Sequence, residues 1–519
     1  MATTLTVTVN YRLLQIVESV NSNLKHFVQT QTQLDHPRRR GLALLFLAIV
    51  TAVYVLVVLL APPRFYDEGL IVSGAQRILQ GQHPYVDFNS GYPPGQFYTI
   101  ALVFRIFGSS LLTGRIWDFV WRLAIIGAAY WLAHELAGEQ TTLLPLMCCA
   151  ALAGGVGFPL YPMISATLPC LCALSCALRF VRTQNLRWIF GAGLLLSCTA
   201  VFRHDLAACV GIVVLGSVLR NRRATFSLLT GMLLVAGPVI AYLLIEIPPH
   251  ILQETFLEFP KLNATARHLP ILSSPFFPGH LLLTLAIIGF AADEARRVPA
   301  GRRAPVLMMS AVAGLTLILA TQRLDMAHAF PSVIICLIIL AGYVPSNIAR
   351  PVLITLATFL FGIFPLLTWA AQLRALTNTP ASLITRAGGV RIPLDQARAV
   401  QYVQDHLPAG EKLYVGTTSH SRIWVNDALF PFLADRPQAT RHYMWIPGLT
   451  NSVPVQSQIV HELEINGVQY VVLFNADRSS ENNLSSLDSG VTRLDDYLNV
   501  MYGEVAVFGR YHILKRRQT

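Results

Sequence analysis

The sequence predicts a polytopic α-helical membrane protein of about eleven spans with a small C-terminal α/β domain. Of its 519 residues, 54% are hydrophobic and 13% are charged, whereas about a quarter of the residues in a soluble globular protein are charged. The apolar runs are long and continuous, unlike the short alternating segments of a membrane β-barrel. Residues 391–519 break this pattern, because they are hydrophilic and hold 12 basic and 13 acidic residues.

Apolar segments define the predicted membrane domain at 41–371, although several are short for a full crossing. The expected spans are 41–61, 116–137, 142–158, 163–180, 188–202, 206–219, 225–246, 280–292, 304–321, 327–344 and 351–371. A further apolar stretch at 95–107 is either a twelfth span or a helix lying in the membrane interface. The charge pattern favours the interfacial helix, because a twelfth crossing would reverse the sides of the loops before residue 182.

Arginine clusters predict the orientation, since cytoplasmic loops of membrane proteins are enriched in Lys and Arg. One cluster, Arg38 to Arg40, directly precedes the first span, so segment 1–40, which lacks a signal-peptide pattern, is expected in the cytoplasm. Other clusters at 182–187, 220–223 and 296–303 mark later cytoplasmic loops. The segments then expected on the opposite, extracytoplasmic face are 62–115, 203–205, 247–279, 322–328 and the C-terminal tail.

The tail is predicted to begin after a linker at 372–390 and to form an α/β domain over 391–519. Alternation of strands and helices there indicates a parallel or mixed sheet. Helices are expected at 396–407 and 455–465, and strands at 412–417, 470–474 and 505–514.

Several function classes find no support in the sequence. The net charge of +11 belongs to the membrane part, and no basic run carries interleaved aromatic residues, so nucleic-acid binding is not expected. No nucleotide-binding glycine motif or zinc-protease helix occurs, which disfavours a soluble nucleotide donor. All eight cysteines lie in apolar segments, and we interpret them as small buried hydrophobic residues.

Asp67 and Glu68 are the strongest candidates for chemistry, because they follow the first span by a few residues at the membrane surface. A carboxylate there can act as general base toward an acceptor hydroxyl. It can equally hold a divalent cation, or simply favour a helix N-terminus. The sequence leaves open whether a metal takes part, and predicts no other cofactor.

Two further polar motifs lie at the ends of later spans on the same predicted face. Arg203, His204 and Asp205 form the first motif, in which Arg203 either binds a phosphate or forms an internal ion pair with Asp205. The second motif contains Arg323, Asp325 and His328. Arg323 again suits a phosphate, to which His328 can donate a hydrogen bond. Alternatively, the Arg323 side chain only extends so that its charge lies in the membrane interface.

Two outer loops supply weaker candidates. In the first loop, His83 and Asp87 lie in a stretch rich in proline and aromatic residues, which suits a polar ligand or a structured turn. In loop 247–279, Lys261, Arg267 and His268 could grip an anionic head group, although a solvated loop is favoured.

These motifs together predict transfer from a lipid-linked phosphate donor. The arginines would stabilise the leaving anion and Asp67 would take a proton from the incoming hydroxyl. One alternative is a transporter or flippase of lipid-linked glycans, but transporters usually carry polar residues near the bilayer midplane and in paired halves. A non-catalytic assembly protein is a second alternative. It would give no function to Asp67 or to either arginine motif.

The first outer loop resembles the membrane-embedded GT-C glycosyltransferases. The matching residues are Tyr66-Asp67-Glu68-Gly69, Gly74 to Arg77, Gly81 to Phe88, Pro93-Pro94-Gly95, Phe107-Gly108 and Arg115. The branch it is most similar to is the protein-mannosyltransferase and aminoarabinose-transferase type, including rhizobial lipopolysaccharide core transferases. The resemblance is specific over 60–137 and looser in the spans, where 323–328 looks like a late-loop motif of bacterial members.

The resemblance implies a GT-C-like fold, with 95–107 as a juxtamembrane helix and the tail as an extracytoplasmic domain. It implies an inverting transfer of a hexosyl or pentosyl group from a polyprenyl phosphate, with Asp67 as base and Glu68 as its neighbour in the acidic pair. The acceptor would be an envelope glycan, lipid or protein, and the location a bacterial inner membrane. Many members carry another acidic residue in the second outer loop, but 158–162 has none, so only Asp87 or Asp205 could complete a two-carboxylate metal site.

Overall fold

The computed structural model describes residues 45, 49, 59–137, 144–153, 158–274, 276–344, 349–380, 382–422, 425–445, 450–477 and 479–518. The predicted cytoplasmic segment 1–40 lies outside the described residues. So does the predicted first span, 41–61, apart from Leu45, Ile49 and its last three residues.

Helices account for nearly all regular structure between residues 67 and 378. They are α1 (Asp67–Leu79), α2 (Gly95–Phe107), α3 (Leu111–Ala137), α4 (Leu144–Ala153), α5 (Pro162–Thr183), α6 (Leu186–Phe202), α7 (His204–Val218), α8 (Arg222–Glu246), α9 (Pro249–Gln253), α10 (Phe259–Ala266), α11 (Phe277–Arg297), α12 (Ala300–Ala320), α13 (Met326–Gly342), α14 (Ala349–Ala357) and α15 (Phe364–Asn378). Short π-helical turns, Glu254–Glu258 and Thr358–Ile363, join α9 to α10 and α14 to α15. Each predicted span from 116–137 onward coincides with a helix over its described part, and stretch 95–107 is α2.

The described helices are those of a multi-pass membrane protein. Five are long and apolar enough to cross a bilayer, namely α3, α5, α8, α11 and α12. Five shorter apolar helices accompany them: α2, α6, α7, α13 and the run Ala349–Ile363. Large apolar side chains such as Phe226, Leu233 and Leu244 are exposed along α8, as expected of a helix whose outer surface meets lipid.

Two glycines bring the backbones of α6 and α8 into contact. A Cβ added to Gly193 would lie 2.2 Å from the carbonyl oxygen of Leu228, and one added to Gly231 would lie 2.2 Å from that of Phe190. Close packing of this kind drives association between membrane helices, because the lipid surrounding them is as apolar as their side chains.

A buried ion pair in α3 fixes the chain before α5. Arg122 Nε donates to Asp118 Oδ2 at 2.7 Å, and both side chains are almost inaccessible. Arg122 Nη1 also donates to the carbonyl of Ala151 at 2.9 Å, while Asp118 Oδ1 accepts the Leu160 N–H at 3.1 Å. Because an unsatisfied charge here would be costly, the pair holds the short turn at 158–161 in one position.

The C-terminal residues fold around a four-stranded sheet with strand order β1-β2-β4-β3. The strands are β1 (Leu413–Thr417), β2 (Tyr470–Phe474), β3 (Tyr502–Phe508) and β4 (Tyr511–Arg516), and the helices are α16 (Leu394–His406), α17 (Phe430–Ala434), α18 (Val453–Ile465) and α19 (Arg493–Met501). β1 and β2 are parallel, while β4 runs antiparallel to both β2 and β3. The expectation of a single strand at 505–514 is wrong, because Gly509, with φ at +56°, turns the chain into the hairpin β3–β4.

The first outer loop and the C-terminal residues share one hydrophobic core. Its buried members include Ile71 and Val72 of α1, Phe97 and Phe104 of α2, Phe432 of α17 and Val472 of β2. Gly69 allows the closest approach, since a Cβ there would lie 2.4 Å from the backbone nitrogen of Leu429. The two parts of the chain therefore lie on the same side of the helical domain.

Most of the predicted linker, 372–390, packs where the helical domain meets the first outer loop. α15 continues to Asn378, and Arg386 Nη1 donates to Gln76 Oε1 in α1 at 2.9 Å. Just beyond it, the Arg391 N–H donates to the carbonyl of Leu60 at 3.0 Å. These contacts tie the end of the helical domain to the base of the first outer loop.

Replacing Gly69 by Ala should loosen the contact between α1 and the C-terminal residues. The added methyl group meets main-chain atoms that cannot rotate away, and overpacking of this kind typically costs about 1–3 kcal/mol. We expect a lower melting temperature in detergent and faster proteolysis within 391–519. Gly127→Ala in α3 is the control, since a Cβ there meets nothing within 4 Å. Equal melting and proteolysis of both variants would contradict the close contact.

Candidate active site

Asp67 is the first residue of α1, and its side chain is half-buried. A carboxylate is favourable there because the free N–H groups of the first helical turn carry partial positive charge. Burial raises the pKa of Asp67, whereas Arg267 and Arg64 lower it. Asp325 and His328 act on it more weakly, with opposite signs. Four charged groups from three separate segments therefore surround this one carboxylate.

Arg64 and Arg267 are the two cations that act most strongly on Asp67. The Arg64 guanidinium lies over the ring of Phe158, 5.2 Å from its centroid, while Arg267 follows α10 and is half-buried. Neither forms an ion pair with a carboxylate within the described part of the chain. Both guanidinium groups can thus donate to the oxygens of a phosphate, and a guanidinium can bind two such oxygens at once.

Glu68 points away from Asp67 and is fully buried. Arg115 of α3 binds both of its oxygens, with Nε to Oε1 at 2.6 Å and Nη2 to Oε2 at 2.8 Å. The same guanidinium donates to the carbonyls of Leu59 and Ala61. The structure thus separates the acidic pair into a partly open carboxylate and an internal ion pair that anchors α1 to α3.

Asp325, His328 and Tyr161 form a chain of hydrogen bonds beside Asp67. Asp325 caps α13 by accepting the His328 N–H at 2.9 Å, and its Oδ1 lies 2.9 Å from His328 Nδ1. His328 Nε2 lies 3.0 Å from the Tyr161 hydroxyl. Burial alone would raise the pKa of Asp325, but His328 and Arg323 hold it below its ordinary value. The cap therefore fixes the imidazole in one orientation.

Arg323, an expected phosphate ligand, is engaged by the C-terminal residues. Its two terminal nitrogens bind both carboxylate oxygens of Glu481, with Nη1 to Oε2 at 2.7 Å. Asp325 Oδ2 lies 3.8 Å from its Nε. The acidic partner Glu481 carries no motif of its own in the sequence and is recognisable only from its position in the fold.

Arg203, the other expected phosphate ligand, forms the internal ion pair that the sequence left open as an alternative. Its Nε donates to Asp205 Oδ1 at 3.0 Å, a second nitrogen binds Oδ2, and the arginine is buried. It is within electrostatic range of Tyr161 and Tyr92. His204 of the same motif is exposed.

His83 and Asp87 form a turn apart from Asp67. Asp87 Oδ2 accepts the His83 N–H at 2.6 Å, and His83 Nδ1 lies 3.1 Å from the Tyr242 hydroxyl of α8. Asp87 lines a cleft at the C-terminal end of α1, where Arg77 also lies. Both residues thus belong to a second polar region of the first outer loop.

Among the described residues, no group of three or more His, Cys, Asp or Glu side chains is arranged to hold a metal ion. The two carboxylates expected as substitutes have other partners, since Asp205 binds Arg203 and Asp87 accepts from a backbone N–H. The second carboxylate that acts on Asp67 is that of Asp325.

Comparison with known proteins identifies the fold. Residues 92–251 match the family described as dolichyl-phosphate-mannose-protein mannosyltransferase. The structure is similar to ArnT from Cupriavidus metallidurans bound to undecaprenyl phosphate, with a TM-score of 0.59 and 15% identity over 91% of this chain and 98% of that one. The apo state of the same ArnT gives a TM-score of 0.57 and 16% identity over 91% and 97%. No curated protein matches the chain in sequence.

These matches confirm the expected resemblance at the level of the fold, which is that of the GT-C-type membrane glycosyltransferases. The family match begins at residue 92, so it contains neither Asp67 nor Arg64.

Arg115→Leu should destabilise the protein strongly, because it leaves the Glu68 carboxylate buried without a partner. Removing one member of a buried pair typically costs about 3–5 kcal/mol, and we expect a large drop in melting temperature in detergent. The double variant Glu68→Met/Arg115→Met should recover part of that loss, since apolar side chains can replace a buried pair.

Arg510→Leu is the matched control for this ion pair. Arg510 pairs with Asp477 at 2.9 Å, but the two side chains are 50% and 82% exposed. Exposed pairs contribute only about 0–1 kcal/mol. A melting temperature for Arg115→Leu as high as that of the control would show that Glu68 is not held by Arg115.

Proposed function

We propose that the chain is a membrane glycosyltransferase that takes a sugar from a polyprenyl-phosphate donor at the extracytoplasmic face of a bacterial inner membrane. The acceptor is a hydroxyl of a cell-envelope glycan, lipid or protein. The observation that carries this proposal is the half-buried Asp67 carboxylate within electrostatic range of two arginines, Arg64 and Arg267, that have no carboxylate partner in the described structure. The fold supports it, since the similar ArnT structure is one bound to undecaprenyl phosphate.

In the proposed reaction, the acceptor hydroxyl attacks the anomeric carbon of the donor sugar. Asp67 takes the hydroxyl proton as the new carbon–oxygen bond forms. The bond between the anomeric carbon and the phosphate oxygen breaks, and its electron pair leaves with the lipid phosphate. Attack from the face opposite the phosphate inverts the configuration at the anomeric carbon. The transferred group is a hexosyl or pentosyl residue.

Charge develops on the departing phosphate, and the half-buried Arg267 would stabilise it together with Arg64, which is exposed and lies over the Phe158 ring. Fixed cations in a partly desolvated site lower the barrier most when they meet charge that grows in the transition state. The same cations oppose the effect of burial, which on balance raises the pKa of Asp67. One pair of arginines thus supports both the base and the leaving group.

The remaining residues of the polar motifs would shape the site. Arg203 and Arg323 would hold its walls through Asp205 and Glu481, since those carboxylates occupy their guanidinium groups. His328 would present its imidazole toward the site from the Asp325 cap. Glu68 would be a positioning residue for α1.

Asp67→Asn should abolish transfer while leaving the protein folded. Loss of a general base typically costs about 10²–10⁴ in rate, and the amide keeps the shape of the side chain. The measurement is the mass of envelope glycans from a deletion strain complemented with each variant. Asp477→Asn is the control, since this carboxylate is 82% exposed in the C-terminal residues. Full glycan modification by Asp67→Asn would instead favour a transporter of lipid-linked glycans.

Arg267→Gln should move the acid limb of the pH profile to higher pH. The base must be deprotonated, so activity rises with pH through the pKa of Asp67. Arg267 lowers that pKa, and removal of its charge therefore raises it. Arg267→Lys keeps a positive charge and should leave the limb closer to that of the wild type. The measurement is kcat/KM against pH, from release of the lipid phosphate. An acid limb at the same pH in all three proteins would contradict the electrostatic link.

A further inference from the structure

A groove lies at the end of the helical domain opposite Asp67. Its volume is about 490 Å³, within the range of about 300–1,000 Å³ typical of ligand sites. Its walls are the start of α6 and residues 222–230 of α8. α6 is 17 residues long and leads from this groove to Arg203, which shares its neighbour Tyr92 with Asp67. At 1.5 Å per residue, the groove lies about 25 Å from that side of the protein.

The end of the groove at the start of α8 carries positive charge that has no partner. Arg222 and Arg223 both line it, and both are exposed. Within the described part of the chain, neither side chain forms a hydrogen bond or an ion pair. Arg187 and Arg220 lie in the same two turns, 183–187 and 219–223, which contain no Asp or Glu. This concentration of one sign of charge attracts an anion.

The rest of the groove is apolar. The Phe226 side chain is 73% exposed, and Phe190 opposite is half-buried. Two hydroxyls also line the groove, but each already donates to a backbone carbonyl, Ser227 to that of Leu186 at 3.1 Å and Thr230 to that of Phe226 at 2.8 Å. The groove therefore has a cationic end and a longer apolar part.

This arrangement follows the layers of a bilayer. α8 rises about 12 Å between Arg222 and Thr230, whereas the headgroup layer on each side of the hydrocarbon is about 5–8 Å thick. A ligand with its anionic group at the arginines would thus have its remainder in the hydrocarbon, beside Phe226. A soluble anion would use only the arginine end, but a phospholipid would fill the whole groove.

We propose that this groove binds an anionic phospholipid of the surrounding bilayer. Its phosphate would lie at Arg222 and Arg223, each of which can bind two oxygens at once, and an acyl chain would lie against Phe226 and Phe190. Basic pockets between membrane helices on the cytoplasmic side bind anionic headgroups in this way, and the sequence predicts that 220–223 lies on that side. The inference does not depend on the proposed reaction.

The test is retention of lipid by the full chain in detergent, measured by native mass spectrometry after addition of equal amounts of phosphatidylglycerol and phosphatidylethanolamine. The wild type should retain the anionic phosphatidylglycerol preferentially. Arg222→Gln/Arg223→Gln should weaken its retention by about 25-fold, since each arginine near a membrane surface contributes about fivefold to the binding of anionic lipid. Arg222→Lys/Arg223→Lys keeps both charges and should retain most of the lipid.

Arg296→Gln/Arg297→Gln is the matched control, because it removes two exposed arginines from the end of α11, outside the groove. Its retention of phosphatidylglycerol should stay within about twofold of the wild type, given that the groove arginines remain. Thr230→Trp leaves every charge in place but fills the apolar part of the groove, so it should weaken retention. Thr230 is exposed, and the larger ring should not unfold the protein.

Loss of phosphatidylglycerol from both groove variants but not from the control would support the proposal. Equal losses from the control and from Arg222→Gln/Arg223→Gln would overturn it, because net charge rather than the groove would then attract the lipid. So would a wild type without preference for phosphatidylglycerol, or unchanged retention by Thr230→Trp. Asp67→Asn should retain lipid as the wild type does, so failure of the proposed reaction and failure of the lipid site would give different results.

Discussion

The contact between α1 and the C-terminal residues is the constraint on which the site depends. Ser73 of α1 donates to the Ala428 carbonyl at 2.6 Å, Tyr443 donates to the Leu70 carbonyl at 3.1 Å, and Gly69 brings the two backbones together. Asp67 therefore stands on a helix that is held along its length rather than on a free loop. A carboxylate fixed in this way loses little of its precision to motion, and burial raises its pKa.

Around this helix, the pairing of charges decides which groups are available. Acidic and basic side chains at a membrane boundary are costly unless they are paired or wet. Three arginines each bind both oxygens of a carboxylate, and two of these pairs, those of Arg115 and Arg323, join distant parts of the chain. They are Arg115 with Glu68, Arg203 with Asp205, and Arg323 with Glu481. Arg64 and Arg267 differ, because they act on Asp67 electrostatically and have no carboxylate partner of their own in the described structure. Two such cations near a single carboxylate favour an anion.

Hydropathy was enough to predict the described apolar helices, and a position close to the predicted first span singled out Asp67 as a candidate. The roles within the acidic pair could not be predicted, since neighbouring residues of a helix point about 100° apart and only the fold shows what each one meets. The partner of Arg323 was hidden for a similar reason, because Glu481 lies 158 residues away. Arg267 was identified in the sequence but interpreted as part of a solvated loop. Nothing in the sequence of that loop indicates that the fold brings Arg267 close to Asp67.

The two ends of α1 differ in charge. The end at Asp67 has Arg64 and Arg267 within electrostatic range, and neither pairs with a carboxylate in the described structure, so this end suits an anion such as a lipid phosphate. The cleft at the other end, near Arg77, is lined by three carboxylates as well as three Arg and Lys cations, and its guanidinium groups already donate to protein oxygens. The C-terminal residues contribute to both ends, since Glu481 is within electrostatic range of Arg267 and Gln438 lines the cleft. An anionic donor would therefore gain electrostatic stabilisation at the Asp67 end of the helix and little at the other.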